Sequence, residues 1–228
     1  MAKQETWVLD IETKPMIAYV WERRDINVAL NQLQEEWSVL AWSAKKLGAP
    51  AKDIIYYDLR HKKDYTDDKA ILRHIWDILD RADIVITHNG KAFDSKKLNA
   101  RFILQGMKKP SAYKHFDTWL LASRAAAFTS TKLEYLTSRL NTVYKKSDHG
   151  DFPGQSLWTE CLKGNIKAWD AMKRYNIRDT LSTEELALKL KEWAPKAFPD
   201  WDVPKCDGCG KAKKIKIKCH ECGSWETK

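Results

Sequence analysis

The segment Thr6-Trp7-Val8-Leu9-Asp10-Ile11-Glu12-Thr13 constrains the fold more than any other stretch of this chain. Val8, Leu9 and Ile11 put apolar groups on both faces of an extended reading. A strand that is apolar on both sides needs cover on both sides, so it predicts a central strand of an α/β sheet. The same strand carries two acids two residues apart. Residues at that spacing point to one face, so Asp10 and Glu12 project together. Like charges side by side on a buried strand repel and are poorly solvated unless a cation neutralises them. The plainer reading is a strand end with two exposed acids.

The rest of the main domain alternates strands and helices. Residues 38–47 and 53–59 predict two strands joined at Gly48-Ala49-Pro50. Residues 67–82 have helical periodicity, with Ile71, His74 or Ile75, Ile78 and Leu79 on one face. Residues 83–87 read as a buried strand, 94–107 as a helix, and His115-Phe116 as a short strand leading into a helix over 118–128. A further helix is expected over 132–141 and a polar loop over 142–155. A long helical tract, bent or straight, follows from Asn165 to about Trp193, where Pro195 stops it.

The chain has 228 residues, 43% of them hydrophobic, with 11 Trp, enough for one main domain with a real core and a small appendage. Its formal charge is +9. That surplus suits a polyanionic partner or simply a lysine-rich surface. No run reaches membrane-spanning length and Met1-Ala2-Lys3-Gln4-Glu5 is too polar for a signal peptide, so a cytoplasmic protein without a membrane partner is expected.

Two more carboxylates sit in informative settings. Asp94 ends His88-Asn89-Gly90-Lys91-Ala92-Phe93-Asp94, just past a predicted strand end, where α/β folds place ligands. It also fits as the cap of the helix starting Ser95-Lys96-Lys97. Tyr175 and Asp179 are four apart on a helix. Their face continues through Ala168, Met172, Ser182, Leu186, Leu190 and Trp193, and reads as inward with Asp179 as its only charge. A buried carboxylate needs a partner. A metal shared with the strand acids and a salt bridge to an arginine both satisfy that need. Together Asp10, Glu12, Asp94 and Asp179 are a set of hard oxygen ligands suited to two divalent cations that hydrolyse a phosphodiester.

In order and context these segments resemble the DEDD superfamily of 3′-5′ exonucleases. Asp10-Ile11-Glu12-Thr13 is similar to the first exonuclease motif. Asn89 through Phe93-Asp94 is similar to the second, in the form found in family-B DNA polymerase proofreading domains. Tyr175-x-x-x-Asp179 is similar to the third, of the tyrosine subtype; the histidine subtype would need His where Arg174 stands. Lys146, Gly150 and Leu157-Trp158 resemble a segment of small phage and bacterial relatives, which allows a phage-encoded origin. The resemblance covers about residues 5–195. It implies an α/β, ribonuclease H-like mixed sheet flanked by helices, with an exonuclease domain over residues 1–198.

The resemblance implies two Mg²⁺ or Mn²⁺ ions, with Asp10 bridging both, Glu12 and Asp179 on the first, and Asp94 on the second. Tyr175 with Glu12 would orient the attacking water. Asn89, Phe93 and Lys146 are expected to touch substrate. For His88, turn chemistry at a strand end is preferred. The expected substrate is the 3′ end of DNA, single-stranded by preference, with any proofreading acting in trans beside a polymerase or other replication partner. RNA on the same site and a non-catalytic nucleic-acid-binding scaffold are the alternatives.

Past Pro199 to Pro204 the composition changes. Residues 205–228 hold seven lysines against three acids and few large apolar groups, so this segment needs a staple to fold. Cys206-x-x-Cys209 and Cys219-x-x-Cys222 enclose nine residues and match a structural Zn²⁺ site similar to a zinc ribbon. Gly210 and Gly223 each follow the second cysteine of a pair, where a tight turn is needed. His220 is not expected to be a ligand. Lys211, Lys213, Lys214, Lys216 and Lys218 predict a basic hairpin that grips nucleic acid, with Trp225 to stack a base, or that docks protein. Cys161 stands apart and reads as a buried thiol.

Overall fold

The computed structural model describes residues 4–22, 27–144 and 150–194, and the backbone of 216–218 and 225–227. A five-stranded mixed sheet organises the chain. Strand β1 (Thr6–Thr13) is central, as its two apolar faces require. It pairs antiparallel with β4 (Val39–Lys46), which pairs antiparallel with β5 (Ile55–Asp58). On its other side β1 runs parallel to β6 (Ile84–Thr87), and β6 runs parallel to β7 (Lys114–Asp117). A small antiparallel ladder, β2 (Ile17–Ala18) with β3 (Leu33–Glu35), interrupts the β1–β4 connection and was not expected.

Helices cover both faces. Trp7, Leu9, Ile11 and Trp42 pack with Ile71, Leu72, Ile75, Ile78 and Leu79 of α1 (Lys69–Arg81) and with Leu98 and Phe102 of α2 (Asp94–Leu104). Of the two candidates on α1, Ile75 faces the core and His74 is exposed. Val8, Ile84, Ile86 and Phe116 point the other way. They meet Leu121 and Ala122 of α3 (Thr118–Ala125), Leu133 and Leu136 of α4 (Leu133–Arg139), and Leu186, Ala187 and Leu190 of α6 (Ile166–Leu190). A buried ion pair ties the first layer. Asp68 accepts from Arg101 Nε at 2.7 Å and Nη2 at 2.8 Å, and from the Val39 N–H at 2.9 Å.

The 25-residue helix α6 begins at an Asn165 cap, whose side chain accepts from Lys167 N and Ala168 N, and spans about 37 Å. Before it lies α5 (Ser156–Leu162), a short helix the periodicity did not mark. One expectation for α6 needs correction. Trp193 is not on the inward face: the helix tightens after Leu190 into a 3₁₀ turn, Lys191–Trp193, and leaves that indole 68% exposed. Glu184, on the opposite side of α6 from Asp179, is also buried and accepts from Lys45 Nζ at 2.8 Å.

Strands β8 (Lys216–Lys218) and β9 (Trp225–Thr227) form an antiparallel pair. Cys206, Cys209, Cys219 and Cys222 lie outside the described residues, as does Lys146. Cys161 is buried and free, and burial pushes its thiol up to about 12. Among the described residues, no helix is long and apolar enough to cross a membrane.

Candidate active site

Asp10 and Glu12 share the face of β1 that meets α5 and α6, as strand alternation requires. Asn176 Nδ2 donates to Asp10 Oδ2 at 2.6 Å and to the Asp10 carbonyl at 3.2 Å. Trp158 Nε1, on α5, donates to Glu12 Oε2 at 3.1 Å. The same indole meets Tyr175 edge-on, with ring centroids 6.1 Å apart at 81°. Tyr175 and Asp179 are both buried on the side of α6 that packs into the protein. The helix rotation is fixed against β4 by Ser43, whose hydroxyl lies 2.6 Å from Thr180 Oγ1 and donates to the Asn176 carbonyl at 3.1 Å.

Asp94 arrives from the other layer. It is the first residue of α2, and Phe93 holds the cap position. Asp94 Oδ1 accepts the N–H of Ile11, the residue between Asp10 and Glu12, at 3.2 Å. Burial pushes the Asp94 carboxyl up to about 7, and the negative charge of Asp117 adds to the effect.

The turn before Asp94 is tightly specified. Asn89 takes a positive φ of 63°, a conformation asparagine tolerates better than most residues. Asp117 holds the turn by accepting from Asn89 N at 2.9 Å and Lys91 N at 3.0 Å. The same carboxylate caps α3 through Trp119 N and Leu120 N. His88 does the turn chemistry expected of it, with Nδ1 2.8 Å from Thr118 Oγ1. Below it, His115 sits between Thr87 Oγ1 at 2.6 Å and Ser95 Oγ at 3.2 Å, and burial lowers its pKa to about 4.

Glu12, Phe93 and Trp158 line a cleft of about 350 Å³, with Pro15 and Gln155 at its sides. Phe93 is 42% exposed, the state of a ring available to a ligand. Lys97 Nζ stands 3.7 Å above the Trp37 ring and 5.7 Å from Phe93, a cation held at the flank. Asn89 does not line this cleft.

The structure therefore brings β1, the start of α2 and the middle of α6 to one place. Among the described residues, no three His, Cys, Asp or Glu side chains are gathered into a ready ligand cluster. Sequence reasoning missed Asn176 and Asp117, and singled out Trp158 only within a resembling segment, with no role at Glu12. Asn176 had a signal, since it lies three residues before Asp179 and so shares its helix side.

A family model described as the RNase_H superfamily (RNase_H_2) matches residues 47–191. That span contains Asp94, Tyr175 and Asp179, whereas β1 with Asp10 and Glu12 precedes it. The fold is similar to the family B DNA polymerase from the hyperthermophilic archaeon Pyrobaculum calidifontis, with a TM-score of 0.58 at 13% identity. The match covers 82% of this chain but 24% of the polymerase. No curated protein matches the chain.

Proposed function

This chain belongs to the RNase_H superfamily, and from that premise we propose that it is a 3′-5′ exonuclease of the DEDD superfamily, tyrosine subtype. Residues 1–198 form the exonuclease domain in this reading. The observation that carries it is a pair of ties on β1. Ile11 N–H holds Asp94, and Asn176, on the helix of Tyr175 and Asp179, holds Asp10.

Asp10, Glu12, Asp94 and Asp179 would hold two Mg²⁺ or Mn²⁺ ions. The donor set fits, because carboxylate oxygens suit these hard cations. Asp94 fits as well: its carboxyl is raised to about 7 by burial, and a nearby cation would restore the charged form. When bound, such ions lower the pKa of a water and stabilise the leaving oxygen of a phosphodiester. The chain's own residues supply the rest. Asn176 orients the Asp10 carboxylate and Trp158 that of Glu12, while the Ile11 N–H fixes Asp94. Tyr175, against Trp158, would position the attacking water from its hydroxyl. Phe93 would pack against the terminal nucleotide in the cleft. The net charge of +9 favours a polyanionic substrate.

Cys206, Cys209, Cys219 and Cys222 would hold one structural Zn²⁺ in a second unit, residues 205–228. Their spacing supports this. The basic strand Lys216–Lys218 would then add to the grip on the nucleic-acid backbone.

The test is cleavage of matched single-stranded DNA and RNA, labelled at the 5′ end, with Mg²⁺ or Mn²⁺. A ladder that shortens from the 3′ end and vanishes in Asp10→Ala is expected, with DNA preferred. A preference for RNA would reassign the substrate. Binding without cleavage of either strand would favour a scaffold.

A further inference from the structure

A second cavity, about 250 Å³, opens beside the edge strand β7. Leu120 and Arg124 of α3, Lys91 of the turn before α2, and Trp193 after α6 surround it, with His115 and Asp117 at its base. Its chemistry differs from that of the metal cleft. Two cations line it, together with an exposed indole and the apolar Leu120, Leu121 and Ala125. Asp117 adds little net repulsion for an anion, because four backbone N–H groups already point at its carboxylate. His115 stays neutral at physiological pH, its pKa lowered to about 4 by burial.

One short turn walls both cavities. Phe93 lines the cleft at Glu12, and Lys91 lines this cavity. Two residues apart, their Cα atoms lie within about 7 Å of each other. A strand with its terminal nucleotide against Phe93 passes Lys91 within a nucleotide or two.

We propose that this cavity is a second nucleotide site that takes one upstream nucleotide of the substrate strand. The base stacks on Trp193 over Leu120, and Arg124 and Lys91 pair with the flanking phosphates. This assignment rests on the nuclease reading above. It gives the exposed Trp193 a role: an indole with a free face stacks any base, so the site grips a strand without reading its sequence.

Lys91, Arg124 and Trp193 are all exposed, so substitutions there leave folding intact. The experiment measures binding of 5′-fluorescein-labelled (dT)₁₂ to the full chain in EDTA at several salt concentrations. In parallel it follows Mn²⁺-dependent hydrolysis of thymidine 5′-p-nitrophenyl phosphate, which is too small to reach beyond the metal cleft. Trp193→Ala is expected to weaken (dT)₁₂ binding about tenfold, and Trp193→Phe to restore most of it. Arg124→Ala and Lys91→Ala should each weaken binding and reduce the salt slope by about one. Hydrolysis of the small ester should be unchanged in all of them. Wild-type (dT)₁₂ affinity in Trp193→Ala and Arg124→Ala would overturn the proposal, as would an equal loss of ester turnover. Failure of the wild-type chain to hydrolyse the ester would instead sink the nuclease reading, and the binding arm would still decide the cavity.

Discussion

Asn176 grips Asp10 twice through one side-chain nitrogen, at 2.6 Å to Oδ2 and 3.2 Å to the main-chain carbonyl. The contact crosses from α6 to β1. It fixes both the direction of the carboxylate and the distance between α6 and β1. Asn176 is itself fully buried and its own carbonyl accepts from Ser43.

Asn176→Ala should therefore cost activity beyond its cost in stability. Residues that orient metal-binding carboxylates typically account for about 10–100-fold in activity or metal affinity. A loss of that size in steady-state cleavage is expected, with the metal concentration for half-maximal rate shifted upward. Thermal melts should show a smaller effect, near the ~1 kcal/mol of a typical buried hydrogen bond.

Gly90 should not tolerate alanine. A methyl group there would lie 2.4 Å from Thr87 Oγ1, 2.5 Å from Thr87 Cβ and 2.8 Å from Asp94 Oδ2. Something must move, and the neighbours are a strand end and a metal-binding candidate. Overpacking of this kind costs about 1–3 kcal/mol. Gly90→Ala is expected to lower the unfolding free energy measured in urea by that amount and to reduce cleavage further by displacing Asp94. Unchanged cleavage would place Asp94 outside the mechanism.

His115 gives the metal-free protein an acid sensitivity of known sign. Its folded pKa of about 4 is below the 6.5 of the free side chain. Below pH 6.5 the unfolded chain takes up a proton that the folded chain refuses. Stability is full above pH 6.5, falls as pH drops through that window, and levels off near pH 4. The loss is about 3 kcal/mol. In His115→Asn this component should vanish, so the gap between variant and wild-type melting temperatures should narrow from pH 7 to pH 4. A constant gap would refute the assignment.

Much of this fold was legible because periodicity and burial agree. The two-faced apolar run of β1 identified the centre of the sheet, and spacing two put Asp10 and Glu12 on one face. The misses have physical causes. Helix α5 has seven residues, fewer than two full turns, so its apolar positions show no repeat. The β2–β3 ladder has strands of two and three residues, and Ile17 in it and Tyr19, Trp21 and Leu30 beside it are exposed, against the usual signal of burial. Trp193 was placed inward by extending a 3.6-residue period past the point where α6 tightens. The four acids were read as candidates from sequence, whereas of the groups that hold them only Asn176 left a signal, its spacing from Asp179. Asn176, Trp158 and Asp117 act through contacts between residues far apart in sequence, up to 166 positions for Asn176 and Asp10. No local pattern encodes such a pair.

The most direct test of the central claim is a crystal of the full chain soaked in Mn²⁺, with an anomalous difference map at the manganese edge. The account predicts strong peaks bounded by Asp10, Glu12, Asp94 and Asp179, lost in Asp10→Ala. Saturating Mn²⁺ with no peak among these four carboxylates would contradict it.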